Sequence, residues 1–126
     1  MKAASKIAAL LIAVVACAKE APSARLPHPP PPTPLVLARG DTVYVASCAR
    51  CHGTFGLGTD SGPPLVHAIY APSHHADAAF QLAVRQGVRA HHWTYGNMPP
   101  VAGVSDADAD QVTAYLRWLQ SEAGIH

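Results

Sequence analysis

Little in this chain carries charge, and little of it is aromatic. Asp, Glu, Lys and Arg make up 13% of the 126 residues, and Phe, Trp and Tyr only 6%. Apolar residues reach 49%, but much of that is alanine and one N-terminal run, so side-chain volume for an unaided core is scarce. From Gly40 onward four arginines meet seven carboxylates, a net of minus three. That balance excludes the basic face that nucleic-acid binding needs. The N-terminal apolar run, Ile7 to Ala16, has ten residues, half of the about 20 that a spanning helix requires. No stretch alternates polar and apolar residues convincingly, which argues against strands. The length suits one domain.

What is present at the N-terminus reads as an address. Lys2 and Lys6 precede the ten-residue apolar run, the layout of an export signal over residues 1–16. Its end, "LIAVVAC", resembles a bacterial lipoprotein signal, in which the cysteine becomes the mature N-terminus and carries acyl chains. The resemblance implies lipidation at Cys17, a membrane anchor, and a place on the periplasmic side of a bacterial membrane. The alternative is ordinary cleavage near Cys17, which releases a soluble protein. Seven of the twelve prolines then fall between Pro22 and Pro34. Such a run favours extended polyproline II, so residues 17–39 read as a semi-rigid tether. The folded domain is expected over 40–126.

Three helices are expected in that domain. The first runs from Asp41, a candidate cap, to about Cys51. The second starts near Asp77 and ends before Gly87, with Phe80, Ala83, Val84 and Val88 on one face. The third is the clearest. Ser105 precedes it with Asp108 three residues on, a capping-box arrangement, and Val112, Tyr115, Leu116 and Leu119 form a buried stripe. Asp106, Asp108 and Asp110 crowd its first turns, where the helix dipole favours negative charge, so capping explains them better than a metal site.

Chemistry concentrates at 48–52, "CARCH". On a helix, positions i, i+3 and i+4 share a face, which puts Cys48, Cys51 and His52 together. Such a set serves a redox disulfide, half of a zinc site, or a covalent haem, whose vinyl groups take the thiols while the imidazole reaches the iron. A redox disulfide wants a βαβ context, and no strands are expected. Zinc wants a second ligand pair at matching distance, and the nearest paired donors, His74 with His75 and His91 with His92, lie far downstream. Beyond the signal the one methionine is Met98, in "GNMPP". A soft thioether suits iron, and His/Met ligation raises a haem's potential.

These residues together resemble a class I c-type cytochrome. The family's glycine, aromatic and Cys-x-x-Cys-His spacing is matched by Gly40, Tyr44, Cys48, Cys51 and His52. Tyr115 and Trp118 match the aromatic region of its C-terminal helix. "GPPL" at 62–65 resembles the segment whose proline carbonyl, here Pro63, accepts the axial histidine's ring N–H. The resemblance spans roughly 40–124. It implies an all-α fold of three or more helices around one haem c, held by Cys48 and Cys51 with His52 and Met98 as axial ligands. Leu65, Val84 and Tyr95 are candidate walls of the haem slot. Trp93 resembles the tryptophan that reaches a haem propionate, and Arg89 is placed to pair with the same group. The implied function is that of an electron carrier with transient redox partners, not an enzyme. Two alternatives stand beside it: a haem-based sensor or binder of small ligands, and a metal-handling protein built on the histidine pairs. His91 or His92 in place of Met98 would make a bis-histidine haem.

Overall fold

The computed structural model describes Leu26 and residues 30–126. The expectations for the export signal, for Cys17 and for most of the proline-rich stretch fall outside them. Among the described residues the fold is all-α, with α1 Ala38–Ser47, α2 Ala49–His52, α3 Asp77–Gln86 and α4 Asp106–Glu122. Short 3-10 turns occupy Leu35–Leu37, Thr54–Gly56 and Ala68–Tyr70. No strand forms there; single antiparallel bridges join Thr59 to Gly62 and Val88 to Met98. No described helix is long and apolar enough to cross a membrane.

The first helix departs from expectation at both ends. Pro34 is extended, at φ −56° and ψ 140°, and its carbonyl accepts the Leu37 N–H at 2.8 Å. That turn launches α1 at Ala38, so Asp41 is not the cap. It lies in the first turn, where the dipole favours its charge, and accepts the Thr33 hydroxyl at 3.1 Å. At the other end Cys48 swings to φ −120° and separates α1 from α2. The Cys48 carbonyl takes the N–H groups of both Cys51 and His52, at 3.1 and 3.0 Å, so the motif sits in one tightened turn. Gly53, at φ 77°, ends it.

The crossing of α1 and α4 depends on Gly40. A Cβ there would lie 2.1 Å from the Gln111 carbonyl oxygen, so only glycine lets the two backbones approach this closely. One turn later Tyr44 packs on Tyr115, with ring centroids 5.6 Å apart, and its hydroxyl donates to the Gly53 carbonyl at 2.7 Å. Trp118 stands behind Tyr115, at 6.0 Å and half-buried. Val43, Val66 and the α4 stripe Val112, Tyr115, Leu116 and Leu119 complete the core. Full burial of a leucine contributes about 1.5–3 kcal/mol, and Leu116 and Leu119 are both essentially inaccessible.

α4 starts as its sequence specifies: the Ser105 hydroxyl accepts the Asp108 N–H at 3.1 Å. α3 runs from Asp77 to Gln86, and Gly87 at φ 74° follows it. The long segment between α2 and α3 is fastened by two polar residues of α4. Gln120, fully buried, donates to the carbonyls of Leu65 and Tyr70 at 2.9 and 3.1 Å. Arg117 donates to the Tyr70 carbonyl and to Asp77 at 2.7 Å each, and to the His75 carbonyl. Its guanidinium also lies over Phe80, 4.8 Å from the ring centre.

Candidate functional site

The helices enclose a cavity of about 390 Å³. Phe80, Ala83 and Val84 of α3 line it, with Val112 and Leu116 of α4 and with Leu65, Tyr95 and Met98 from the connecting segments. Cys48, His52 and Pro63 border it from the "CARCH" turn and the segment after it. Leu82 and Tyr95 line the cavity and remain 45% and 43% exposed, so its apolar surface continues to solvent.

His52 is buried, and its Nδ1 lies 2.9 Å from the Pro63 carbonyl oxygen. A carbonyl only accepts, so Nδ1 carries the hydrogen and Nε2 keeps its lone pair. Burial holds the ring below the usual imidazole pKa, against the raising effect of the Pro63 bond. The result is a neutral, oriented imidazole with a free donor atom, the form in which histidine binds a metal. Cys48 and Cys51 are free thiols. Burial first, then Cys51, pushes the Cys48 thiol up to about 11, so it stays protonated at neutral pH.

The Met98 loop is held by backbone. Val88 and Met98 exchange both of their N–H···O=C bonds at 2.9 Å, and the Val101 N–H reaches the Val84 carbonyl at 2.8 Å. Gly87 makes this register achievable, since a Cβ there would lie 2.4 Å from the Met98 carbonyl oxygen.

Trp93 lines the cavity, and its indole N–H donates to the Tyr70 hydroxyl at 3.1 Å. Arg89 is exposed and not part of the lining; its carbonyl accepts from His91 Nδ1 at 2.8 Å. The acidic residues of α4 are engaged structurally. Asp108 pairs with Arg39 at 2.6 Å, Asp106 with Arg85 at 3.5 Å, and Asp110 accepts from Gln81 at 2.6 Å.

The donor set fits a haem: two free thiols one turn apart, an oriented imidazole, a thioether, and an apolar cavity they share or adjoin. Fold and site thus define a small all-α haem c protein. A family model for cytochrome c matches residues 37–120, two thirds of the chain, and the chain belongs to the cytochrome c family. Comparison with curated proteins and with solved structures returned no match. Membership brings one covalent haem c with its iron and, in general terms, the role of electron carrier.

Proposed function

We propose that the protein carries single electrons between redox proteins on the periplasmic side of a bacterial membrane. Cys48 and Cys51 would hold the haem through thioethers, and His52 Nε2 and the Met98 sulfur would bind its iron. When bound, the haem supplies a ferrous/ferric couple. The residues set its conditions: the Pro63 carbonyl orients His52 and strengthens it as a donor. The apolar walls exclude water, and Met98 favours the ferrous form. With His52 and Met98 both on the iron, no position would remain for a substrate, which favours a carrier over an enzyme.

The observation that carries this reading is the orientation of His52, with Nδ1 bound to Pro63 and Nε2 unused, beside a cavity that Met98 also lines. Leu82 and Tyr95 offer an apolar contact surface for transient partners at the cavity's mouth. Acylation of Cys17 and the proline-rich tether would hold the domain near a membrane and raise its effective concentration there.

Carbon monoxide tests the ligand set. Reduced wild-type protein at neutral pH is expected to show no spectral change with the gas, and the ferric protein to show the weak red-region band of iron–thioether ligation. Met98→Ala should lose the band, lower the potential and bind the gas. Gas binding by the wild type would favour a sensor of small ligands instead. An unchanged red band in the variant would remove Met98 from the iron.

A further inference from the structure

Four histidines from two separate segments meet at the edge of the haem cavity. The ligand nitrogens of His74, His75 and His92 all lie within 4.8 Å of one another. His91 adjoins them, its ring centroid 4.2 Å from that of His92 and 6.1 Å from that of His75. Among the described residues none of the four takes part in an ion pair with a carboxylate. Charge neutralisation therefore does not explain why the imidazoles gather.

The cluster is built rather than merely adjacent. His75 Nδ1 lies 2.7 Å from the Ile69 carbonyl, and a carbonyl can only accept, so His75 Nε2 holds a lone pair. His75 is further fixed through its own carbonyl, which accepts from Arg117, and by the Tyr70 ring at 5.1 Å. An imidazole whose N–H is given to a backbone carbonyl has the preparation typical of a metal ligand. His74 and His92 are exposed, so both rings are free to turn. Metal–nitrogen bonds of about 2.0–2.1 Å place tetrahedral donors about 3.3 Å apart, a closure that modest side-chain rotation achieves.

We propose that His74, His75 and His92 bind one divalent transition-metal cation of the zinc or copper class. Imidazole suits these borderline ions, and the absence of carboxylates from the cluster disfavours the oxygen-seeking Mg²⁺ and Ca²⁺. Three ligands leave a fourth position for water. His75 and His92 also line the haem cavity, so the bound dication lies beside the haem. It raises the haem's reduction potential, because its field disfavours the ferric form more than the ferrous.

The test is a calorimetric titration of Zn²⁺ into the full-length, untagged holoprotein, with the haem spectrum recorded in parallel. One equivalent is expected to bind saturably, and His74→Ala to weaken binding at least tenfold; losing even a ligand's supporting hydrogen bond costs 10–100-fold. His92→Ala, a second exposed position, should weaken it similarly. The haem potential should rise with Zn²⁺ in the wild type and not in His74→Ala. Absence of saturable binding, or wild-type affinity in both variants, overturns the proposal. Absence of the iron–thioether band from the wild type, with its appearance in His92→Ala, would also overturn it by assigning the cluster to haem ligation. The haem reading itself is scored separately, by the wild-type spectrum.

Discussion

Val88 and Met98 form a closed backbone pair, each donating its N–H to the other's carbonyl at 2.9 Å. The pair joins the end of α3 to the loop that presents the thioether, and Gly87 lies at the junction. Gly87→Ala places a methyl 2.4 Å from the Met98 carbonyl oxygen, at a φ of 74° that alanine also disfavours. The loop must move, at a cost of about 1–3 kcal/mol. The expected signature is a weaker red-region band together with new carbon monoxide binding, in a protein that still attaches its haem. A variant with stability, band and gas exclusion all unchanged would show that this bridge does not control Met98.

Gly40 offers a contest between two opposed effects. In an exposed helix interior, alanine is better than glycine by about 0.8–1.0 kcal/mol. Here the added Cβ would lie 2.1 Å from the Gln111 carbonyl oxygen and 2.9 Å from the Tyr115 Cβ. A backbone atom cannot rotate aside, so α1 and α4 must separate and the Tyr44–Tyr115 contact loosens. The overpacking penalty of about 1–3 kcal/mol wins, and Gly40→Ala should unfold at lower denaturant than the wild type. A stabilised variant would mean that the helices slide apart at little cost.

The parts of this molecule legible in its sequence are those written locally. The Cys48, Cys51 and His52 spacing, the Ser105–Asp108 cap and the α4 stripe all lie within one or two helical turns. The break at Cys48 was not legible, since nothing in "VASCARCH" disfavours a continuous helix. Arg117 and Gln120 were missed for a different reason. Their partners lie 40 to 55 positions away, at Asp77 and Leu65, and a polar residue on a helix reads as solvated until its neighbours are known. Gly87 reads as a cap, which it is, but its closeness to Met98 depends on a loop whose path the sequence does not reveal. The four histidines were visible as two pairs, and only the folded chain brings them together.

The proposed lipid anchor is testable without any structure. Fatty-acid labelling in a bacterial host should mark the wild-type protein, and Cys17→Ser should abolish the label and release the protein from membranes. Recovery of unlabelled wild type in the periplasmic fraction would remove the anchor from the proposal. Haem attachment would be unaffected, because Cys48 and Cys51 require export but not acylation.

Asp108 links pH to the packing of α4. Hydrogen bonds from Arg39 and then from Ser105 hold its carboxyl below the ordinary range. The Arg39 Nε and Nη2 atoms both reach the same oxygen, at 2.9 and 2.6 Å. Since the folded-state pKa is depressed, the unfolded chain binds the proton more readily. The carboxylate therefore stabilises the fold above the ordinary carboxylate pKa of about 3.9, and that contribution fades as pH falls through the lower folded value. Asp108→Asn keeps the side-chain shape and an acceptor oxygen but removes the charge. Its melting temperature should lie below that of the wild type at pH 7, by a margin that shrinks in high salt, as expected of an exposed pair. Between pH 4 and the acid limit the two curves should converge. A gap that persists undiminished in strong acid would mean that Asp108 acts through its hydrogen bonds alone, and that its charge contributes nothing to joining α1 and α4.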